Sequence, residues 1–231
     1  MPSGNSDRAA SAALRISLVG MPGCGKSTIG RHLSRQLGLR FVDSDTEIEA
    51  HIAMPIKTFF ELHGEAAFRD IEHEVLDRLT QQEGQVLATG GGAVLRPSTR
   101  DALHARTHVL YLRASPEDLA CRLRNDTQRP LLQVADPLRR LRDLYRERDP
   151  LYRRTAHFVV EAVRPSVPAL LNMVLMQLEL AGLLPFAPMP ADDHADVHPD
   201  TKADTPAPDC APGLTPEAKP TPDHQHPDQD T

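Results

Sequence analysis

Short apolar runs and amphipathic stretches alternate along the chain. LRISLVG (Leu14–Gly20) is an apolar run closed by a glycine, the pattern of a buried strand. Lys26 to Leu37 then carries Ile29, Leu33 and Leu37 on one helical face, and Gly38 stops it. LRFVDSD predicts a second strand ending in acids, followed by a helix from about Thr46 to His51. After Pro55, IKTFFELHG predicts a short helix closing at Gly64. Glu65 to Gln81 is a longer one, with Phe68, Ile71, Val75 and Leu79 on its apolar side. QVLATGGG is a third strand that runs into three glycines, and Pro97 to His104 is helical. THVLYLRA is a fourth strand, and Ser115 caps a helix reaching about Leu123. RNDTQRPLLQVADP has no period and predicts a loop. A charged helix (Leu138 to Arg154), a fifth strand (HFVVEA) and a last helix (Val167 to Leu180) complete the pattern. Such alternation predicts an α/β fold with a five-stranded parallel sheet covered on both faces, binding ligands at the carboxyl ends of its strands.

Composition then divides the chain. The net charge of −6 hides a split: from Pro185 onward ten Asp and Glu face two Lys, so residues 1–184 carry +2. The segment 185–231 is acidic, Pro-rich and nearly free of large apolar residues, and cannot bury enough surface to offset its ordering entropy. It is expected to be a disordered tail. Its histidines His194, His198, His224 and His226 match no structural zinc spacing. Residues 1–12 are expected to be a disordered extension without the apolar region of a secretory signal, leaving one domain at 13–184. No apolar run is long enough to span a bilayer. The three cysteines, Cys24, Cys121 and Cys210, are far apart and odd in number, which argues against a disulfide framework and for a reducing compartment.

The chemistry begins at Gly20-Met-Pro-Gly-Cys-Gly-Lys26-Ser27, which fits G-x-x-x-x-G-K-[ST] between a strand and a helix. In such a phosphate-binding loop the glycines let backbone N–H groups turn inward, and the helix adds a positive dipole end. Lys26 reaches the terminal phosphates, and the Ser27 hydroxyl is a Mg²⁺ ligand. The turn therefore holds a nucleoside triphosphate. No N-K-x-D guanine signature is present, and the chain is small for an ATPase motor.

Three further stretches bear on what happens to the phosphate. In FVDSD, Asp43 and Asp45 flank Ser44 at a strand's end, so that one can face Mg²⁺ and its waters while the other faces a substrate hydroxyl. In GEAAFRDIE, Arg69 and Glu72 share a helix face, either as a stabilising pair or with Glu72 aiming Arg69 at a carboxylate. Gly90, Gly91 and Gly92 are costly in entropy at a strand end, which favours close backbone contact with a ligand.

Taken in order, these motifs resemble the shikimate kinase family. The matching stretches are Gly20–Thr28, Asp43–Asp45, Phe68–Glu72, Gly90–Gly92, R-P-L-L at Arg129–Leu132 and R-x-P-L-Y at Arg148–Tyr152, within residues 14–180. The resemblance implies a three-layer α/β/α P-loop fold of the nucleoside monophosphate kinase type. It implies Mg²⁺-dependent transfer of the ATP γ-phosphoryl group to the 3-hydroxyl of shikimate. Gly23, Cys24, Gly25, Lys26, Ser27 and Thr28 would bind ATP, with Arg122, Arg129 and Arg164 as further nucleotide contacts. Ser27 and, through water, Asp43 would serve the metal. Asp45, Arg69, Gly90, Gly91, Gly92 and Arg148 would bind shikimate, and Lys26, Asp45 and Arg129 would carry catalysis, Arg129 from a lid. A cytoplasmic monomer with no nucleic-acid or membrane partner is expected. A gluconate kinase of the same fold, whose substrate is also a polyhydroxylated carboxylate, and a nucleotide-dependent binding protein that displays the tail stay open at this point.

Overall fold

The computed structural model describes residues 13–123, 136–162 and 166–184. The extension 1–12, the tail 185–231, Arg129 and Arg164 lie outside these residues. Five strands form one sheet: β1 (Arg15–Val19), β2 (Arg40–Asp43), β3 (Gln85–Ala88), β4 (His108–Arg113) and β5 (Phe158–Glu161). They run parallel in the order β2-β3-β1-β4-β5, with the strand that enters the phosphate-binding turn at the centre. Buried side chains run the length of β3 and fill the interior of β1 and β4, as expected for a parallel sheet packed on both sides. Val86 and Leu87 enter two different apolar clusters, because successive side chains of a strand point to opposite faces.

Seven helices are described: α1 (Lys26–Leu37), α2 (Ser44–Ile52), α3 (Ile56–Thr80), α4 (Pro97–Arg106), α5 (Pro116–Leu123), α6 (Pro137–Thr155) and α7 (Val167–Leu180). The larger cluster gathers Ile29 and Leu33 of α1, Leu141 and Leu144 of α6, and Leu170, Val174 and Leu178 of α7. The smaller joins Ile48 of α2 to Phe68, Val75, Leu76 and Leu79 of α3. The sheet is thus the middle of three layers.

Two departures from the sequence pattern have a local cause. α2 starts at Ser44, two residues early, because the Asp43 side chain accepts the Asp45 N–H at 3.1 Å and caps the helix. The short and long helices expected on either side of Gly64 run on as α3 through a kink, where Gly64 sits at φ 78 and ψ 176. Cys24 is a free buried thiol. Among the described residues, no helix is long and apolar enough to cross a membrane.

Candidate active site

Sheet register brings the motifs together. Leu18 of β1 and Asp43 of β2 both pair with Ala88 of β3, so the phosphate-binding turn, the acid pair and the glycine triplet leave the sheet side by side. Gly25 ends the turn at φ 100, a conformation that side chains with a Cβ rarely adopt, and is the N-cap of α1. The first turn of α1 contains no acidic residue, so its positive end stays free for an anion. Lys26 is buried and its Nζ donates to the carbonyls of Gly20 (2.8 Å) and Met21 (3.0 Å), folding its charge back over the turn. Cys24 turns its side chain into the core.

Ser27 Oγ donates to Asp43 Oδ2 at 2.7 Å. A hydroxyl and a carboxylate this close are hard oxygen donors and suit magnesium, which needs only one or two protein groups when phosphates supply the rest. Among the described residues no cluster of three His, Cys, Asp or Glu could hold a metal without such help. Burial lifts the Asp45 carboxyl above the usual carboxylate range, and Asp43 adds to the rise, against the pull of Lys26 and the Ser44 hydroxyl.

On the other side of the cleft Arg69 Nη1 donates to Glu72 Oε2 at 2.6 Å, and Nη2 to Glu65 Oε1 at 3.0 Å. Burial opposes the Arg69 charge, but Glu72 and Glu65 together raise its pKa. Arg148, on α6, is buried and donates through Nη1 to the Gly91 carbonyl at 3.2 Å. The Nε atoms of Arg69 and Arg148 are buried without a hydrogen-bond partner among the described residues. Such donors are costly to leave unpaired, and two in one cleft mark a place for an anionic acceptor.

The glycine triplet is packed by each of these parts. A Cβ on Gly90 would fall 2.7 Å from Asp45 Oδ1, one on Gly91 2.8 Å from Pro22 Cδ, and one on Gly92 2.7 Å from Arg69 Cζ. A cavity of about 940 Å³ opens between them. It is lined by Gly23, Gly25, Lys26, Ser27, Thr28, Asp43, Asp45, Arg69, Gly90, Gly91, Gly92 and Arg148.

Comparisons with known proteins point to one family. The family model described as shikimate kinase matches residues 22–179. The shikimate kinase of Paracidovorax citrulli (strain AAC00-1) is 56% identical over 178 residues, covering 76% of this chain and 97% of that protein. The solved shikimate kinase from Acinetobacter baumannii, in complex with shikimate, superposes with a TM-score of 0.71 at 44% identity, covering 76% of this chain and 98% of that one. The Aquifex aeolicus shikimate kinase does so with a TM-score of 0.65 at 32% identity, over 74% and 99%.

The chain belongs to the shikimate kinase family.

Several groups of this shikimate kinase site carry no role in the sequence reading. Ser44 is fully buried, accepts the Gly90 N–H at 2.9 Å and donates to Asp45 Oδ1 at 3.4 Å, tying the glycine triplet to α2. Its only signal is its place between two acids. Thr89 Oγ1 donates to the Leu18 carbonyl at 3.1 Å and fastens the end of β3 to β1. Arg140, from the first turn of α6, lines the cavity, but nothing distinguishes it among the arginines of that helix. Arg122 does not line the cavity; it donates to the carbonyls of Ala162 (2.7 Å) and Cys24 (3.5 Å), bridging the phosphate-binding turn to the end of β5.

Proposed function

We infer that the chain transfers the γ-phosphoryl group of ATP to the 3-hydroxyl of shikimate, giving shikimate 3-phosphate and ADP. The observation that carries this reading is one cavity with a phosphate-binding turn at one side and Asp45, Arg69 and Arg148 at the other. A small polyhydroxylated carboxylate offers little apolar surface, so its affinity must come from charged hydrogen bonds. Arg69 and Arg148 take its carboxylate, Asp45 takes ring hydroxyls, and the glycine triplet lets the ring approach the backbone.

The loop residues Gly23 to Thr28 hold the ATP phosphates. Lys26 leaves the turn carbonyls and meets charge on the transferring group, while Asp45 orients the attacking hydroxyl. Rate enhancement on this reading comes from positioning and electrostatics. Ser27 and Asp43 would hold a magnesium ion, which supplies charge neutralisation at the phosphates when bound. Arg129 and Arg164, outside the described residues, are assigned to the nucleotide on the family pattern alone, as is Arg122; Arg129 is assigned to the moving phosphate as well. The domain is placed at 13–184. A monomer is assigned on the family pattern, and a cytoplasmic location fits the soluble substrates.

A coupled ADP-release assay tests the reading, run with shikimate, with gluconate and with neither. ADP release should depend on shikimate. Equal release in its absence, or faster release with gluconate, would overturn the assignment.

A further inference from the structure

Tyr152 closes the R-x-P-L-Y motif, and the proposed reaction gives it no task. It is fully buried, four residues after Arg148, so both side chains leave the same face of α6. Both reach one atom: the Gly91 carbonyl accepts the Tyr152 hydroxyl at 2.5 Å and Arg148 Nη1 at 3.2 Å. The Tyr152 ring stacks on Tyr111 of β4, with centroids 5.0 Å apart and planes 28° apart. Tyr111 in turn donates to Asp149 Oδ1 at 2.8 Å, and Arg153 Nε donates to Asp149 Oδ2 at 2.7 Å. The hydroxyl is therefore held at a fixed point between the sheet and the glycine triplet.

We propose that Tyr152 is a positioning residue, whose hydroxyl holds the Gly91 carbonyl so that Arg148 keeps the pose that reads the substrate carboxylate. The inference rests on the proposed function and deepens it. A carbonyl has two lone pairs, enough to accept both donors. Because Tyr152 fixes the carbonyl, the carbonyl fixes Nη1 of Arg148. The remaining edge of that guanidinium, including the unpartnered Nε, is then free for a carboxylate. Without the hydroxyl the carbonyl can turn toward the arginine alone, and both the turn and the arginine lose their register. Burial pushes the phenol pKa upward, so the group remains a donor across the working pH range.

Tyr152→Phe keeps the ring and its stacking and removes only the donor. Loss of one such hydrogen bond corresponds to a rise of about fivefold to tenfold in shikimate KM. The ATP KM should stay within about twofold, since the phosphate-binding turn is untouched. Preference for shikimate over its neutral carboxamide should narrow together with the KM change, which general loosening of the core would not produce. 4-Aminophenylalanine at position 152 restores a donor of nearly the same size and should restore both values. If the Phe protein does not fold, 4-aminophenylalanine is compared with 4-methylphenylalanine, which fills the space without donating. Equal shifts in the KM of both substrates, undiminished carboxylate preference, or no difference between amino and methyl forms would overturn the proposal. Wild-type protein that releases no ADP in response to shikimate would instead overturn the underlying function.

Discussion

Asp45 is under two opposed demands. To accept hydrogen bonds from a substrate hydroxyl it must be charged, yet burial and the neighbouring Asp43 both favour its neutral form. Its folded pKa therefore lies above the unfolded value. The proton it binds in the folded state adds stability that is fully present below the unfolded pKa and is lost as pH rises through the raised folded one. At neutral pH the charged carboxylate is thus a burden on the ligand-free fold, as expected of a group kept for function. Asp45→Asn should raise the melting temperature of the ligand-free enzyme at pH 7, with the gain shrinking as pH falls into the acid range. The same variant should lower kcat by about 10²-fold or more, the usual weight of a group that handles the reacting proton. Calorimetry across pH and steady-state kinetics read the two effects. An Asn variant that melts lower at pH 7 would show that Asp45 is structural.

On the proposed function, α3 supplies both a binding group, Arg69, and its support. Arg69 has Glu65 one turn before it and Glu72 three residues after it, so both carboxylates reach the same guanidinium. Their side chains differ in exposure, 63% for Glu65 and 4% for Glu72, and this decides their roles. The exposed pair is screened and weak, and a substrate carboxylate can replace it. The buried pair cannot lose one partner without leaving a charge unpaired, at a cost of about 2–5 kcal/mol. Glu72→Gln should therefore raise shikimate KM by at least about tenfold. Glu65→Gln, which removes a competitor for Arg69, should leave it unchanged or lower it. Titration of both variants with shikimate checks this, and an equal loss in the two would contradict the division of roles. The Arg69–Glu72 spacing and the interruption at Gly64 were legible in the sequence because both are local. The early start of α2 was not, since it depends on where the Asp43 side chain turns. Nor was the meeting of Arg148 and Tyr152 at Gly91, which only the approach of α6 to the glycine triplet produces.

At the scale of the whole chain, the described residues that line the cavity all lie between Pro22 and Arg148. Gly182 and Leu183 still donate backbone hydrogen bonds to α7, and Leu183 and Leu184 pack against the larger core cluster. Ending the chain after Leu184 therefore keeps every described contact of the domain. The segment removed carries ten acidic residues against two Lys, while residues 1–184 carry +2 and the cleft displays Lys26, Arg69 and Arg148 to anionic ligands. An acidic segment gives such ligands no attraction, and sparse apolar content offers little surface to bury. Truncation after Leu184 should leave kcat, both KM values and the melting temperature within error at ordinary ionic strength. Lowering the salt to about 10 mM extends the screening length to roughly 30 Å, so any residual repulsion of ATP or shikimate by the tail should appear there first. In that case the truncated protein has the lower KM. A truncated enzyme with a higher KM at either salt, or with a lower melting temperature, would mean that the tail contributes to the domain and that its boundary lies beyond Leu184.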